Sequence, residues 1–361
     1  MRTTRREFLA VAASGILATA CSPQLGADNG AQTIATSTSG LPSDQVLEPD
    51  LRVVLPPGTV APSTFASFTH QTGVRPRVSA WPGDARLQLD LAAGLQGKVD
   101  VVLLGEDAVS AQVALAQVEA LDRSLLPNLR NLEPPFASPP YDPGSRHSVG
   151  FDYQTVGIAL APGVRLNPPA TWQGLFGLVQ LLPGSVAVPD DPAIVVGAAL
   201  VARGHDWSSD SGSDLDDASQ LLQSLRGALV VGGPLATVSL GANAAAIVSS
   251  ATANAAADRY VVPLDGTVAS LRSFCIPLYA PAPVAAHAWL NHVLDPVTAA
   301  ADVTYSRLGT PLRGASYLVS PTLLVDQSVF PPPRALAKLT LPNISDAGLV
   351  ARTALWSQVK A

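Results

Sequence analysis

Seven residues of the sequence carry side chains suited to binding a small charged ligand. They are Glu106, Asp107, Asp152, Tyr153, Gln154, Asp190 and Arg272. Carboxylates bind the ammonium groups of a cation, and an aromatic ring offers its face to the same charge. The guanidinium of Arg272 would instead hold a carboxylate or phosphate of a ligand, or pair with one of these acids. The acidic majority of the set favours an amine as the ligand.

Two of the acidic sites have a second interpretation as helix caps. Asp and Glu are common in a first helical turn because they interact favourably with its free backbone N–H groups. Glu106 and Asp107 precede a predicted helix over 108–120, while Asp190 and Asp191 precede Pro192, a residue suited to the first helical position. Ligand contact and helix capping both stay open at this level.

The sequence carries no motif typical of catalysis or of a metal or cofactor site. His287 and His292 lie five positions apart, so on a helix they diverge and cannot act as a metal-binding pair. There is no Gly-x-Ser-x-Gly turn, no phosphate-binding loop and no Gly-x-Gly-x-x-Gly sequence. We therefore expect no enzymatic activity, no metal and no cofactor; a cell-wall hydrolase is the remote alternative.

Strands and helices alternate along the chain, which predicts parallel sheets covered by helices. Residues 51–55, 74–81 and 99–104 are predicted strands, and helices are predicted from Ser63 and over 84–96. In such sheets a ligand lies beyond the carboxyl ends of the strands, which we place after Leu55, after Leu104 and near 152–154. The remaining predicted elements are strands over 185–188, 228–232, 259–263 and 274–277, and helices over 192–203, 214–226 and 283–294.

Composition narrows the class of protein and its partners. The 361 residues include 22 Lys+Arg and 28 Asp+Glu, a net charge of −6, and 47% are hydrophobic. That is enough apolar side chain for a sizeable core, and the length predicts two lobes. The acidic balance argues against nucleic acid as a partner, because phosphate binding needs a basic face.

The N-terminus has the pattern of an export signal. Arg5-Arg6 followed by Phe8-Leu9 and an apolar stretch to Ala20 is typical of twin-arginine export, and the stretch is too short for a transmembrane helix. Small residues before Cys21 are similar to a lipobox, in which the thiol is lipidated, although Leu17 lies one place further from Cys21 than usual. Simple secretion is the alternative. Cleavage before Cys21 leaves 19 basic and 27 acidic residues, a charge of −8.

The second cysteine, Cys275, lies in an apolar segment that predicts a buried strand without a reactive thiol. With Cys21 lipidated, no internal disulfide can form. Residues 22–48 are rich in Ser, Thr, Ala, Gly and Pro without periodicity, which predicts a flexible tether.

A series of short phrases resembles the periplasmic spermidine/putrescine-binding proteins, the solute receptors of polyamine ABC importers. They occur in that family's order over roughly residues 50–330. The phrases are FASFTHQTGV (65–74), VDVVLL (99–104), LDRSLLPNLRNL (121–132), YDPG (141–144), YQTVGIA (153–159), Trp172, VPDD (188–191), VPLDG (262–266), CIP (275–277), AWLN (288–291) and TP (310–311). The resemblance implies two α/β lobes that close over a solute.

The ligand-binding positions of that family differ in this chain. The family's Ser-x-Tyr-Tyr turn corresponds to residues 104–107, its crossover Trp to Tyr153, and the Glu after the paired aspartates to Ile194. Its late Trp-x-Asp corresponds to residues 270–272, so that Arg272 stands in place of an acid. Two further family positions, an aromatic-acidic cluster and a Trp-Asn pair, correspond to residues 56–59 and 244–245. Two acids are lost and one positive charge is gained relative to a polyamine site.

We predict a periplasmic-binding-protein type II-like fold, with two doubly wound α/β lobes joined by a hinge with several chain crossovers. The predicted segments are a twin-arginine lipoprotein signal peptide (1–20), a tether (21–48), lobe 1 (49–152 plus about 266–315) and lobe 2 (153–265 plus about 316–361). The protein would be a monomer, anchored through Cys21 to the outer face of the cell membrane.

The predicted function is capture of a small organic cation, polyamine-like, for delivery to the permease subunits of an ABC importer. Two alternatives stay open. One is a receptor for an anionic or zwitterionic solute centred on Arg272. The other is an envelope scaffold lipoprotein that binds no solute.

Overall fold

The computed structural model of the chain describes residues 46–361 apart from residues 80, 96 and 257. The predicted signal peptide, Cys21 and almost all of the predicted tether lie outside the described residues. From residue 46 onward the predicted alternation of strands and helices is present, and the α/β class is confirmed.

The strands are β1 (Asp50–Val54), β2 (Arg75–Ser79), β3 (Val101–Gly105), β4 (Ser148–Leu160), β5 (Val186–Val188), β6 (Leu229–Val231), β7 (Ala245–Ser249), β8 (Arg259–Val261), β9 (Thr267–Cys275) and β10 (Leu339–Thr340). The helices are α1 (Pro62–Thr72), α2 (Asp84–Asp90), α3 (Glu106–Ala114), α4 (Trp172–Leu181), α5 (Pro192–Ala202), α6 (Gly212–Ser224), α7 (Ser250–Ala256), α8 (Pro283–Val293), α9 (Pro296–Ser306), α10 (Pro321–Leu324), α11 (Pro333–Leu336) and α12 (Asp346–Lys360). Short 3-10 turns connect several of these elements.

Eight strands of the described chain form the order β2-β1-β3-β9-β4-β7-β5-β6, with β10 beside β9 and β8 beside β4. At one end β1 pairs in parallel with β2 and β3, and at the other β5 pairs in parallel with β6 and β7. The middle pairs β3/β9, β9/β4 and β4/β7 are antiparallel. Two parallel, helix-covered regions are therefore joined through the long strands β4 and β9.

Strand β4 corrects one sequence prediction. Residues 152–154 were expected near the carboxyl end of a strand, but they lie in the middle of the 13-residue β4. Its first part pairs with β9, and its last five residues pair with β7. The error has a physical cause: Asp152 and Gln154 interrupt the apolar pattern as a strand end would. The strand nevertheless continues, because Asp152 is buried in an ion pair with Arg272 of β9.

The buried apolar side chains fall into separate clusters on either side of these strands. One large cluster includes Trp172, Trp207 and Trp356 with helices α4, α5, α6 and α12. A second is centred on Trp289, on which Phe65 stacks and against which Phe68 packs edge-on. Each region therefore has a core of its own, although the exact lobe boundaries stay a prediction.

The C-terminal helix α12, which the sequence patterns did not predict, packs on α5 and α6. Its Arg352 is fully buried, and one guanidinium nitrogen donates to the carbonyl oxygens of Trp207 and Ser209 at 2.9 and 3.0 Å. Such bonds satisfy carbonyl groups that burial would otherwise leave unpaired. Helix α12 therefore fixes the loop that carries Trp207.

Cys275 lies in a buried strand as predicted, and two histidines have structural contacts. Cys275 is a buried free thiol at the end of β9, and burial raises its pKa. The backbone N–H of Asp122 donates to Nε2 of His287, and His292 lies within 3.1 Å of the Ser67 hydroxyl. Across the described part of the chain, no helix is both long enough and apolar enough to cross a bilayer.

Candidate functional site

A cavity of about 470 Å³ lies between the first turn of α3 and the N-terminus of α5. The two helices belong to the two different parallel regions of the sheet, so both regions contribute to its wall. Glu106, Asp107 and Asp191 line it, together with the aromatic side chains of Tyr141 and Trp207. Among the described lining residues, no Lys, Arg or His opposes these three carboxylates. We call it the front cavity.

Glu106 is a carboxylate that the described chain leaves incompletely hydrogen-bonded. Its Oε2 is buried and makes no hydrogen bond within the described chain. Burial, reinforced by the neighbouring charge of Asp107, raises the pKa of Glu106 to about 7. Hydrogen bonds from the Leu271 backbone and the Ser270 side chain act in the opposite direction and lower this pKa. A cation beside Oε2 would remove this cost, because an opposite charge favours the ionised form.

Asp107 is exposed and follows Glu106 in the first turn of α3. The cap position of α3 is Gly105, and no side chain makes a capping hydrogen bond there. The helix also begins two residues earlier than predicted. The capping interpretation of Glu106 and Asp107 therefore has no hydrogen bond to support it, although both are placed favourably for the helix dipole.

Asp190 and Asp191 have different surroundings. The side chain of Asp191 caps α5 by accepting hydrogen bonds from the backbone N–H groups of Ala193 and Ile194, as the capping interpretation predicted, and it also lines the front cavity. Asp190 points to α12, where Trp356 and Lys360 donate to it and lower its pKa. Asp190 is thus not among the described lining residues of the front cavity, whereas Asp191 is.

Asp152 and Arg272 form a bidentate ion pair across β4 and β9. Arg272 Nε donates to Asp152 Oδ1 at 2.7 Å, and a terminal nitrogen donates to Oδ2. The side chain of Asp152 is only 6% exposed, and that of Arg272 is 22% exposed. Bidentate geometry and burial make this a strong contact, and each charge has its counter-charge within the protein. This is one of the two outcomes that the sequence left open for Arg272.

Gln154 lies next to this pair on the sheet. In the antiparallel register, Asp152 is opposite Arg272 and Gln154 is opposite Ser270, which hydrogen-bonds Glu106. Because side chains alternate between the faces of a strand, these residues share one face with Glu106. The front face therefore carries one carboxylate with a guanidinium partner and one with an unpartnered oxygen.

Tyr153 is not among the described lining residues of the front cavity. Its ring is 5% exposed and stacks on Phe136 at 4.8 Å between centroids, and burial raises its pKa. The backbone of Tyr153 exchanges two 2.9 Å hydrogen bonds with Gly309. The ring face predicted for a ligand in the cleft is thus occupied by Phe136.

Three parts of the front cavity were not predicted from the sequence. Tyr141 stood in one of the quoted family phrases but was not proposed for the site, and its hydroxyl lies 2.9 Å from that of Ser273. Trp207 had no signal in its local sequence. The segment Pro342–Ile344 comes from the C-terminal part of the chain, which carries no family phrase. Within the described residues, no three His, Cys, Asp or Glu side chains are grouped to hold a metal ion.

The match to known families agrees with this geometry. The family model described as "Bacterial extracellular solute-binding protein" matches residues 63–322 of the chain. The chain belongs to this family. Its members bind solutes outside the cytoplasm, and binding proteins of this kind are not enzymes.

Named relatives and solved structures extend the comparison. The chain is 24% identical to the putrescine-binding periplasmic protein SpuD of Pseudomonas aeruginosa, over 84% of this chain and 89% of the relative. Its fold is similar to that of the spermidine/putrescine ABC transporter substrate-binding protein PotD of Streptococcus pneumoniae, with a TM-score of 0.76 at 19% identity, covering 86% and 98% of the two chains. The TpPotD lipoprotein of Treponema pallidum gives a TM-score of 0.66 at 22% identity, covering 86% and 99%. The predicted periplasmic-binding-protein fold is thereby confirmed.

Proposed function

We propose that this solute-binding protein captures a small organic cation of the polyamine type in the front cavity and delivers it to an ABC permease. The observation that carries the proposal is the buried, unpartnered Oε2 of Glu106, a residue that lines a cavity together with two further carboxylates. The names of relatives such as SpuD, a putrescine-binding protein, support the same ligand class.

The charge of the cavity favours a cation over an anion. Glu106, Asp107 and Asp191 bring three carboxyl groups to one space, and their mutual repulsion falls when a positive ligand enters. An anion would meet the same three groups with no described cation in the lining to offset them. The amine groups of the ligand would lie against these carboxylates.

The rest of the lining suits the carbon chain of such a ligand. Trp207 and Tyr141 are aromatic, and Ile194 and Leu349 are aliphatic. Aromatic faces attract a cation and its adjoining methylene groups. A volume of about 470 Å³ is within the range of small-molecule sites. Ile194 occupies the position at which the resembling family has a Glu, so this part of the site is apolar here.

Lobe closure is the proposed means of capture. The lobes would be residues 49–152 with about 266–315, and 153–265 with about 316–361. The separate core clusters and the long strands β4 and β9 that join them support this division. Closure would bring α3 and α5 together over the ligand, and the ligand would favour the closed state by its differential affinity.

The geometry gives little support to the alternative of a receptor for an anionic or zwitterionic solute centred on Arg272. Arg272 holds Asp152 in a bidentate pair, and neither residue belongs to the described lining of the front cavity. An anionic ligand would have to displace a buried carboxylate from its guanidinium partner, which is costly. We therefore place the ligand at Glu106.

Calorimetric titration with a panel of solutes tests the proposal. We expect putrescine and spermidine to bind with one site per chain, and glutarate, a dianion of similar length, to show no heat of binding. Binding of glutarate in preference to the amines would overturn the cationic assignment. Absence of heat and of thermal stabilisation with every solute would instead favour the scaffold alternative.

Two aspartates, one inside the front cavity and one outside it, provide matched variants for that titration. Asp107→Asn removes a charge from the front cavity, whereas Asp190→Asn removes the same charge from a residue held by Trp356 and Lys360. Putrescine affinity should fall severalfold in the first and stay within twofold in the second. Equal losses in both variants would show that net charge, not the cavity, determines binding.

We also propose that the mature protein is a monomer anchored through a lipid on Cys21 to the outer face of the cell membrane. The twin-arginine pattern and the small residues before Cys21 support this. In bacterial cells expressing the full chain, the protein should sediment with membranes, and Cys21→Ala should release it to the soluble extracytoplasmic fraction. Unchanged sedimentation of that variant would contradict the anchor.

A further inference from the structure

A second cavity, of about 490 Å³, shares none of its described lining residues with the front cavity. Tyr153 contributes to its wall, whereas Asp152 and Gln154, its neighbours in the strand, share the face of Glu106. We call this one the rear cavity.

The rear cavity is held by well-defined backbone contacts. The backbone N–H of Glu133 donates to Pro311 at 2.8 Å, and that of Arg313 donates to Asn131 at the same distance. Gly309 lies against the Tyr153 ring so closely that a Cβ there would come within 2.6 Å of it. The wall formed by residues 131–136, 153 and 309–316 is thus fixed by pairing and close packing.

Most of the lining is apolar. Tyr153 and Phe136 form a stacked aromatic pair, and Phe330 and Pro331–Pro333 form part of the remaining wall. Removing apolar ligand surface from water in such a site is favourable. An apolar ring or branched aliphatic group therefore suits the interior.

The charged groups of the rear cavity are of opposite sign. Among its described lining residues they are Glu133 and Arg313, with 3.4 Å between Arg313 Nε and Glu133 Oε2. Their side chains are 35% and 51% exposed. An ion pair this exposed contributes little to stability, so exchanging it for contacts with a ligand costs little.

We propose that the rear cavity binds a zwitterionic α-amino acid with an apolar side chain. The ligand carboxylate would bind the guanidinium of Arg313, and its ammonium group would bind the carboxylate of Glu133. In an α-amino acid the two charges are separated by one carbon atom, which matches two adjacent protein groups of opposite sign. The apolar side chain would lie on Tyr153 and Phe330. The site goes beyond the proposed function, which concerns the front cavity.

Analogues that lack one charge test the proposal on the unaltered protein. L-Phenylalanine and L-leucine should bind in calorimetric titrations with one site per chain. Both 2-phenylethylamine, which lacks the carboxylate, and 3-phenylpropionate, which lacks the ammonium group, should bind at least about tenfold more weakly than L-phenylalanine, the loss of one charge-assisted contact. Equal binding of either analogue, or no binding of the amino acids at millimolar concentration, would overturn it.

Variants then locate the amino acid in the chain. Glu133→Gln and Arg313→Met should each weaken L-phenylalanine binding about tenfold or more, since each removes one charged partner. Asp107→Asn, in the front cavity, should leave it unchanged. Loss of binding only in the Asp107 variant would place the amino acid in the front cavity and overturn the proposal. Parallel putrescine titrations keep the two sites distinct, because failure to bind putrescine says nothing about the rear cavity.

Discussion

Two carboxylates on the front face of the sheet have opposite surroundings. Asp152 is bound on both oxygens by the guanidinium of Arg272, whereas Glu106 has one buried oxygen without a hydrogen bond in the described chain. A buried charge with a full set of partners contributes to the fold and offers little to a ligand. A carboxylate with an open position is costly to the protein alone and is stabilised by a cation. The difference separates a structural acid from a ligand-binding acid.

The largest effect should follow from breaking the structural pair. Arg272→Met leaves Asp152 buried without its counter-charge and should lower the free energy of unfolding by about 3 kcal/mol. Urea denaturation monitored by circular dichroism measures this change. The double variant Asp152→Asn/Arg272→Met should recover most of the loss. If Arg272→Met were as stable as the wild type, Arg272 would not be compensating the buried charge of Asp152.

The ligand-binding acid should show the reverse pattern. Glu106→Gln removes a carboxylate whose pKa is raised by burial, so the free energy of unfolding at pH 7 should rise, by roughly 1–2 kcal/mol. Putrescine affinity should fall about 10- to 100-fold, the equivalent of roughly 1.5–3 kcal/mol for a charged hydrogen bond. Calorimetry gives the affinity and urea denaturation the stability. If Glu106→Gln lost stability but kept its putrescine affinity, Glu106 would be a structural acid and not a ligand-binding one.

A third carboxylate sharpens the comparison because it has an open oxygen but lies away from both cavities. Asp302 is 3% exposed, accepts hydrogen bonds from the Ala61 N–H and the Thr64 hydroxyl, and leaves Oδ2 unpartnered. Burial raises its pKa from 3.8 to about 7. The folded state therefore holds this proton more tightly than the unfolded chain, so the contribution of Asp302 to stability falls as the pH rises between these values.

Asp302→Asn should consequently stabilise the protein at pH 8 by roughly 1–2 kcal/mol and have little effect near pH 4. The amide oxygen can still accept both hydrogen bonds. Putrescine affinity should stay unchanged, because Asp302 is not among the described lining residues of the front cavity. Thermal denaturation at the two pH values measures the first effect. A stability difference that is the same at both values would contradict the assignment of the proton to Asp302.

The sequence was sufficient to predict that Glu106 and Asp107 lie at the carboxyl end of a buried strand. The continuous apolar run before them identifies a buried strand, and in parallel sheets the residues just after such a strand lie at the ligand edge. The same reasoning failed at Asp190, because a local pattern cannot show which of two adjacent acids turns toward α12 and which caps α5.

The ion pair and the face of Tyr153 depend on tertiary structure. Asp152 and Arg272 are 120 positions apart, and their contact requires the register of β4 against β9. Residues 151–154 alternate between aromatic and polar side chains, but β4 is buried on both faces, so this alternation alone does not show which side lines a ligand site. For this reason Tyr153 was predicted to share a site with Asp152, from which the pleat of the strand separates it.

Proton release on binding is the most direct test of the open position at Glu106. Burial and Asp107 raise the pKa of Glu106 to about 7, so at pH 7 about half of the ligand-free molecules carry its proton. A cation beside the carboxylate favours the ionised form, so affinity should rise as the pH increases through 7. Calorimetric titration of putrescine at pH 7, in buffers of different ionisation enthalpy, should show release of about half a proton per ligand. Binding with no proton exchange, or with proton uptake, would contradict a cation site at Glu106.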